Sequence, residues 1–155
     1  MHTNTEIEYR IKTATEKEIY QHLSKCNDEF IPPLNSKIAV NEYAGKIFKH
    51  AVTFEAWSSD VLAGLIAAYF NNPETKTGFI TNVSVLPGFN GKGIASRLVK
   101  MSVDYAMQND YTEIHLEVNN KNNKAINLYS KFGFLKTNEK DEMVQMKKII
   151  TLNNS

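Results

Sequence analysis

Polar and apolar positions alternate over several stretches of the chain, which predicts a β-sheet. Residues 6–12 and 111–118 each place an apolar side chain at every second position, the period of a half-buried strand. Two apolar runs, residues 51–57 and 61–70, are separated by Ser58, Ser59 and Asp60 alone. These three residues favour a tight turn, so the two runs are predicted to pair as an antiparallel hairpin.

Helical periodicity follows the middle of the chain. After Gly93, apolar residues recur at the spacing of one helical face, at Ile94, Leu98, Met101 and Tyr105. Residues 77–86, this helix and residues 111–118 therefore form a strand–helix–strand unit, which implies a parallel strand pair joined by a right-handed crossover. Thr15 and Glu18 are spaced as a capping box for a first helix, and Ser36 is predicted to begin a second.

These elements predict an α+β fold of three layers. Its central sheet is mixed, antiparallel at first and parallel after the middle of the chain, with helices covering it. The chain has 155 residues, of which 42% are hydrophobic, enough for one substantial core. We expect a single domain over residues 1–155.

Charge and cysteine content limit the kinds of partner and the cellular compartment that are expected. Lysine and arginine total 18 against 17 acidic residues, so the net charge of +1 creates no field that would attract nucleic acid or an anionic membrane. Cys26 is the single cysteine, which favours a reducing compartment and a packed, structural thiol. The sequence shows no secretory signal and no apolar run of bilayer length, so a cytoplasmic protein is expected.

The stretch from residue 79 to residue 95 joins an apolar strand to a glycine-rich loop and then to the long helix. Backbone N–H groups and the helix dipole converge at such a junction and suit a phosphate group. A P-loop is excluded because only two residues separate Gly88 from Gly91-Lys92. A dinucleotide fingerprint fits poorly because Ser96 stands at its third glycine position.

Two segments, VSVLPGFNGKGIASRLV and LEVNNKNNKAINLYSKFGF, resemble the two motif blocks of the GNAT superfamily of acetyl-CoA-dependent N-acetyltransferases, especially its ribosomal-protein N-terminal acetyltransferases. The resemblance implies acetyl-CoA as cosubstrate and a splayed parallel strand pair in the sheet. It implies that residues 83–85 contact the pantetheine arm through their main chain, and that residues 91–96 hold the pyrophosphate. Asn90 departs from the family's Gln or Arg. The predicted coenzyme-binding residues are Val83, Ser84, Val85, Asn90, Gly91, Lys92, Gly93, Ile94, Ala95, Ser96 and Asn122.

The resemblance also implies two catalytic residues. Glu117 matches the carboxylate that serves as general base, and Tyr129 matches the proton donor to the leaving thiolate. The alternative for Glu117 is a solvated carboxylate at the end of a strand, and the alternative for Tyr129 is a tyrosine packed on the core, neither with a catalytic role. Glu55 is a reserve candidate for the base, and His115 is interpreted as a strand histidine outside the chemistry. No spacing of ligand residues indicates a metal.

The acceptor is less well determined by the sequence. In the family, the first two helices, the loop between them and the terminal hairpin surround it. Here those parts are mainly apolar and aromatic, with Phe30, Ile31, Pro32, Pro33, Leu34, Tyr43 and Phe48. A polycation is disfavoured because no carboxylate cluster complements it. We expect the acceptor to be a primary amine of an amino acid, an amino sugar or a peptide N-terminus.

The alternative to an acetyltransferase is a catalytically silent acyl-CoA-binding domain. A homodimer is compatible with either function. Three lysines, Lys121, Lys124 and Lys131, are expected near the coenzyme's ribose phosphate or in solvent.

Overall fold

A computed structural model describes residues 6–36 and 38–150. Seven strands in these ranges form one sheet with the order β1-β2-β3-β4-β5-β7-β6. The strands are β1 Ile7–Ile11, β2 Val52–Ser58, β3 Val61–Tyr69, β4 Thr77–Val85, β5 Glu113–Asn119, β6 Leu135–Lys140 and β7 Met143–Ile149. The helices are α1 Glu16–Cys26, α2 Val40–His50, α3 Ile94–Gln108 and α4 Asn123–Lys131, with short 3-10 turns at Asn27–Glu29 and Leu34–Ser36.

The predicted mixed sheet is confirmed. Each neighbouring strand pair is antiparallel except β4 and β5, which run parallel on either side of the α3 crossover. One core cluster lies on the sheet face covered by α3 and α4, and includes Phe54, Leu98 and Leu116. A second cluster lies under α1 and α2 and includes Leu23 and Ile47. The fold therefore has three layers. Within the described ranges, no helix combines the length and apolar content needed to cross a bilayer.

The helix boundaries differ from the sequence prediction at one point. The capping box at Thr15 is present, because its hydroxyl accepts from the Glu18 N–H at 3.1 Å and the Glu18 carboxylate accepts from the Thr15 N–H. The prediction that α2 begins at Ser36 is wrong, since that residue closes a 3-10 turn and α2 begins at Val40. The Ala39 carbonyl accepts the first helical hydrogen bond, from the Tyr43 N–H.

Strands β4 and β5 separate partway along their length. Their parallel pairing runs from Thr77 with Glu113 to Ile80 with Leu116 and then stops, although both strands continue. Next to this point β4 contains a bulge, because Ala67 pairs with Asn82 and Ala68 with Ile80, which leaves Thr81 without a partner on β3. A bulge increases the local twist of a strand. The result is a wedge between the C-terminal ends of β4 and β5.

Candidate functional site

The N-terminus of α3 lies at the mouth of this wedge. Gly93 is the N-cap residue and has a φ of 75°, and Gly91 has a φ of 78°, a backbone region that favours glycine. A Cβ atom at either position would meet no atom within 4 Å, so the space beside the loop is open. No described side chain caps this helix, which leaves its first N–H groups directed outward. This arrangement suits an anion.

A close contact between sheet and helix positions that N-terminus. A Cβ atom at Gly64 on β3 would lie only 2.5 Å from Cγ2 of Ile94, the first residue of α3. Ile94 is 2% exposed and packs into the core. The absence of a side chain at Gly64 therefore lets the first turn of α3 lie directly against the sheet.

A cavity of about 750 Å³ runs through the wedge. It extends from the glycine loop, between β4 and β5, to the segment between α1 and α2. All of the coenzyme-binding and catalytic residues predicted from the sequence line it except Lys92; they are Val83, Ser84, Val85, Asn90, Gly91, Gly93, Ile94, Ala95, Ser96, Glu117, Asn122 and Tyr129. The fold thus brings together residues that lie up to 46 positions apart in the sequence, from Val83 to Tyr129.

Glu117 lies on the wall formed by β5 and is exposed. Its neighbours Leu116 and Val118 pack into the core under α3 and α4, so Glu117 faces the opposite side of the sheet. The Gln145 Nε2 on β7 donates to Glu117 Oε2 at 3.1 Å. The sequence analysis did not identify Gln145. Its position between apolar Val144 and Met146 places it on the polar face of a strand, but its pairing with Glu117 depends on the register of β5 and β7.

Tyr129 lies on α4 and is 6% exposed. The centroid of its ring lies 5.9 Å from that of Phe134. Burial raises the pKa of this phenol, so it remains protonated at neutral pH. Asn122 caps the same helix, since its side chain accepts from the Ala125 N–H at 3.2 Å while the residue also lines the cavity.

Glu55 lies outside the cavity, so the reserve assignment of this residue as a base is wrong. It is 0% exposed, beneath the segment that joins β1 to α1. Its carboxylate accepts hydrogen bonds from the Thr13 N–H and hydroxyl, the Ala14 N–H, the Thr53 hydroxyl and the Trp57 indole, at 2.5–3.0 Å. A carboxylate satisfied by five donors holds structure together and is closed to a substrate.

The histidine of β5 and the three lysines expected near the coenzyme lie at different distances from the cavity. His115 lies on the polar face of β5, where its Nε2 is 2.7 Å from Glu113 Oε1, and this contact holds the pKa of Glu113 below its usual value. That location agrees with its interpretation as a strand histidine. Lys124 and Lys131 line the cavity, whereas the Lys121 ammonium lies 3.6 Å from Glu142. Among the described residues, no group of three or more potential ligand side chains is arranged to hold a metal.

The far end of the cavity is lined by apolar residues of the segment between α1 and α2. Phe30, Ile31, Pro32 and Leu34 are among them, as expected, whereas Phe48 lies elsewhere and is 46% exposed. Tyr43 reaches this end from α2, and its hydroxyl donates to the carbonyl of Thr81, the bulge residue, at 2.7 Å. Burial raises the pKa of Tyr43 to about 12, so it stays a donor.

Two buried polar residues near this end, His22 and Asn82, were missed by the sequence analysis. His22 is 2% exposed and Asn82 is 6% exposed. The sequence did contain a signal for His22, because it shares the buried face of α1 with Ile19, Leu23 and Cys26. A histidine on an apolar helical face needs buried hydrogen-bond partners. Cys26 is fully buried, as predicted.

Comparisons with known proteins agree with this geometry. A family model described as the acetyltransferase (GNAT) family matches residues 16–134. An N-alpha-acetyltransferase of Saccharolobus solfataricus is 41% identical over 63 residues, which are 39% of this chain and 37% of that protein. The spermidine N(1)-acetyltransferase of Escherichia coli is 39% identical over 54 residues, which are 34% of this chain and 28% of that protein. The matches thus span only about a third of the length of these curated relatives.

A similar fold is found in a solved structure. The crystal structure of a Bacillus subtilis acetyltransferase in complex with CoA superimposes with a TM-score of 0.72 at 19% identity, over 94% of this chain and 100% of that one. The match to the family model covers well over half of the present sequence. The chain therefore belongs to the GNAT acetyltransferase family.

Proposed function

We propose that this protein transfers an acetyl group from acetyl-CoA to a primary amine, on a small molecule of the amino acid or amino sugar type or on a peptide N-terminus. The observation that carries the proposal is the wedge between β4 and β5. It opens beside the uncapped N-terminus of α3 and has Glu117 on one wall and Tyr129 on another. We keep the single domain and the cytoplasmic location as parts of this proposal.

The residues around the wedge fit the coenzyme. The N–H groups at the start of α3 and the open space beside Gly91 and Gly93 suit a pyrophosphate. The edge of β4 beyond Ile80 lacks a β5 partner, so its main-chain groups are available to the amide groups of a pantetheine arm. A cavity of about 750 Å³ lies within the range of ligand sites. When bound there, acetyl-CoA supplies the activated acetyl group.

Two side chains of the protein then each transfer one proton. Glu117 accepts a proton from the amine nitrogen, directly or through water, and the Gln145 amide holds the carboxylate in place. The Tyr129 hydroxyl, protonated at neutral pH, donates to the departing sulfur. Main-chain N–H groups of β4 stabilise the negative charge that develops on the carbonyl oxygen, as fixed donors do in acyl transfer.

The far end of the cavity supports an amine attached to an apolar or neutral group. Phe30, Ile31 and Pro32 provide apolar surface there. The carboxylates that line the cavity are Glu29 and Glu117, and Lys124 and Lys131 offset them in charge. This balance gives a polycation little net attraction. One relative is nevertheless a spermidine acetyltransferase, so polyamines belong in the test panel.

The test measures thiol release from acetyl-CoA with a panel of amines, together with coenzyme affinity by calorimetry. We expect release with at least one neutral or apolar monoamine. Tyr129→Phe should lower turnover by about 10- to 100-fold, because proton donation is lost, and leave coenzyme affinity unchanged. Tyr20→Phe on the exposed face of α1 is the matched control and should behave as wild type.

Unchanged turnover in Tyr129→Phe would remove the proton donor from the proposal. Coenzyme binding without thiol release for any amine would instead favour the catalytically silent acyl-CoA-binding domain.

A further inference from the structure

Thr81 is the residue at which β4 loses its pairing on both edges. On the β3 side, the bulge leaves Thr81 out of the ladder. On the β5 side, the parallel pairing ends one residue earlier, with Ile80 opposite Leu116. Thr81 also lines the cavity and is partly buried. The main chain at this position therefore needs hydrogen-bond partners from outside the sheet, because buried backbone groups are costly to leave unpaired.

Tyr43 on α2 provides such a partner. Its hydroxyl donates to the carbonyl oxygen of Thr81 at 2.7 Å, and the Thr81 hydroxyl lies 2.7 Å from the same phenol oxygen. A carbonyl oxygen only accepts, so the single proton of the phenol goes to the carbonyl, and the Thr81 hydroxyl donates to the phenol oxygen. Two hydrogen bonds thus join the Tyr43 side chain to the main chain and the side chain of one residue.

The phenol is itself held by the core. Tyr43 is 8% exposed and packs with Leu23 and Ile47 in the cluster under α1 and α2. Tyr69 on β3 packs against the same cluster, and its buried hydroxyl has no hydrogen-bond partner among the described residues. The two tyrosines therefore differ in what their hydroxyl groups do, because that of Tyr43 alone connects to β4.

The connection bears on the shape of the wedge. Beyond Thr81, β4 continues to Val85 and β5 to Asn119 without pairing, although unpaired strand edges carry groups that can form a ladder. A bulge bends the strand that contains it, and the hydrogen bond from α2 holds the bend. A site that is already open spares its ligand the free energy of opening it.

We propose that Tyr43 is a positioning residue whose hydroxyl holds the bulge at Thr81 and thereby keeps β4 apart from β5 for the pantetheine arm of the coenzyme. The inference rests on the proposed function, because it assumes that this arm lies in the wedge. Glu55 is outside this connection, since it contacts the segment before α1 and side chains of β2.

The free protein tests whether the phenol holds the strand. In nitrogen–proton correlation spectra, Tyr43→Phe should shift the backbone amides of residues 81–85 and, across the wedge, those of residues 117–119. Tyr69→Phe is the matched control, because it removes a hydroxyl beside the same cluster without breaking a hydrogen bond. It should leave the amides of residues 117–119 unchanged. Shifts confined to α2 and Thr81 in Tyr43→Phe would overturn the proposal.

Coenzyme affinity tests whether the open wedge matters for binding. Tyr43→Phe should weaken the binding of CoA about fivefold, the value of one hydrogen bond. Binding of 3′-phosphoadenosine 5′-diphosphate, the part of CoA without pantetheine, should be unchanged, because we place its pyrophosphate at α3. Tyr69→Phe should bind both compounds as the wild type does. Calorimetry measures all of these affinities.

The Thr81 hydroxyl gives a second and milder test. Thr81→Val removes the hydrogen bond to the phenol oxygen but leaves the bond to the carbonyl, so CoA binding should weaken about twofold. Thr81→Ser keeps the hydroxyl and should bind CoA with the wild-type affinity.

An unchanged affinity for CoA in Tyr43→Phe would overturn the positioning role. Equal losses of affinity for CoA and for 3′-phosphoadenosine 5′-diphosphate would also contradict it, because they indicate a general structural effect. If the wild type bound no CoA, the coenzyme site of the proposed function would fail, while the spectra of the free variants would still decide whether Tyr43 holds the bulge.

Discussion

The two halves of the cavity offer different chemical groups to their ligands. The half that we propose for the coenzyme, called the coenzyme half, is formed by residues 83–96 and α4 and presents mainly main-chain groups, at the free edge of β4 and at the start of α3. The half that we propose for the acceptor, called the acceptor half, is formed by α1, α2, the segment between them and the adjoining face of the sheet, and it presents side chains held in buried hydrogen-bond networks. One of these networks joins His22 to Ser84 across 62 positions of sequence. Main-chain recognition depends on local backbone shape, whereas side-chain recognition depends on tertiary packing. Mutations should therefore be able to perturb one half without the other.

The largest expected effect is a loss of stability on the acceptor side of the sheet. Glu55→Ala removes a buried carboxylate that satisfies five donors beneath the segment preceding α1, so the free energy of unfolding should fall by about 3 kcal/mol or more. Urea denaturation measures this change. Glu74→Gln, in an exposed turn, is the control.

In the folded fraction of Glu55→Ala, coenzyme affinity should stay near the wild-type value. A parallel loss of coenzyme affinity would mean that the two halves are not separable.

A pH effect of similar size should come from His22. In the folded protein its pKa is lowered from 6.5 to about 4, chiefly by burial, so between these values the unfolded chain binds more protons than the folded one. The stability that depends on a neutral His22 is present above pH 6.5 and is lost as the pH falls towards 4. Between pH 7 and pH 4 the loss should be about 3 kcal/mol greater in the wild type than in His22→Gln.

Denaturation curves of both proteins across this pH range measure the difference. Equal pH dependence in the two proteins would show that His22 is not held neutral.

A smaller effect is expected in the coenzyme half. The new methyl group of Gly64→Ala would meet Ile94 and displace the first turn of α3, at a cost of about 1–3 kcal/mol in stability. Coenzyme affinity should fall, while the KM for the amine should change little. Gly45→Ala in α2 is the control, because its methyl group meets only the carboxylate of Glu16, a flexible exposed side chain.

Calorimetry with acetyl-CoA measures the affinities. If both glycine variants bound the coenzyme as the wild type does, the close contact between β3 and α3 would not position the site.

This difference between the halves explains what could be predicted from the sequence. The loop around Gly91 and Gly93 was identified because positive φ angles and an uncapped helix start require a short, contiguous pattern. The strand periods and the Thr15 capping box were likewise local signals. The family model confirmed the resemblance that these motifs indicated.

The remaining features depend on tertiary structure. The support of Glu117 by Gln145 requires the register of two strands, and the burial of Glu55 requires the chain before α1 to fold across β2. The start of α2 at Val40 was not predicted because its N-cap residue, Ala39, has no side chain that can cap a helix, and a 3-10 turn precedes it. The roles of Glu117, Tyr129 and the coenzyme-binding residues stay predictions until they are measured.

The central claim is that the main chain of the coenzyme half binds acetyl-CoA, and amide chemical shifts test it most directly. In nitrogen–proton correlation spectra, titration with CoA should shift the backbone amides of residues 83–85 and 91–96 most strongly, and those of α1 and β6 little. Saturable binding with its largest shifts outside both segments, or no binding at millimolar CoA, would contradict the account.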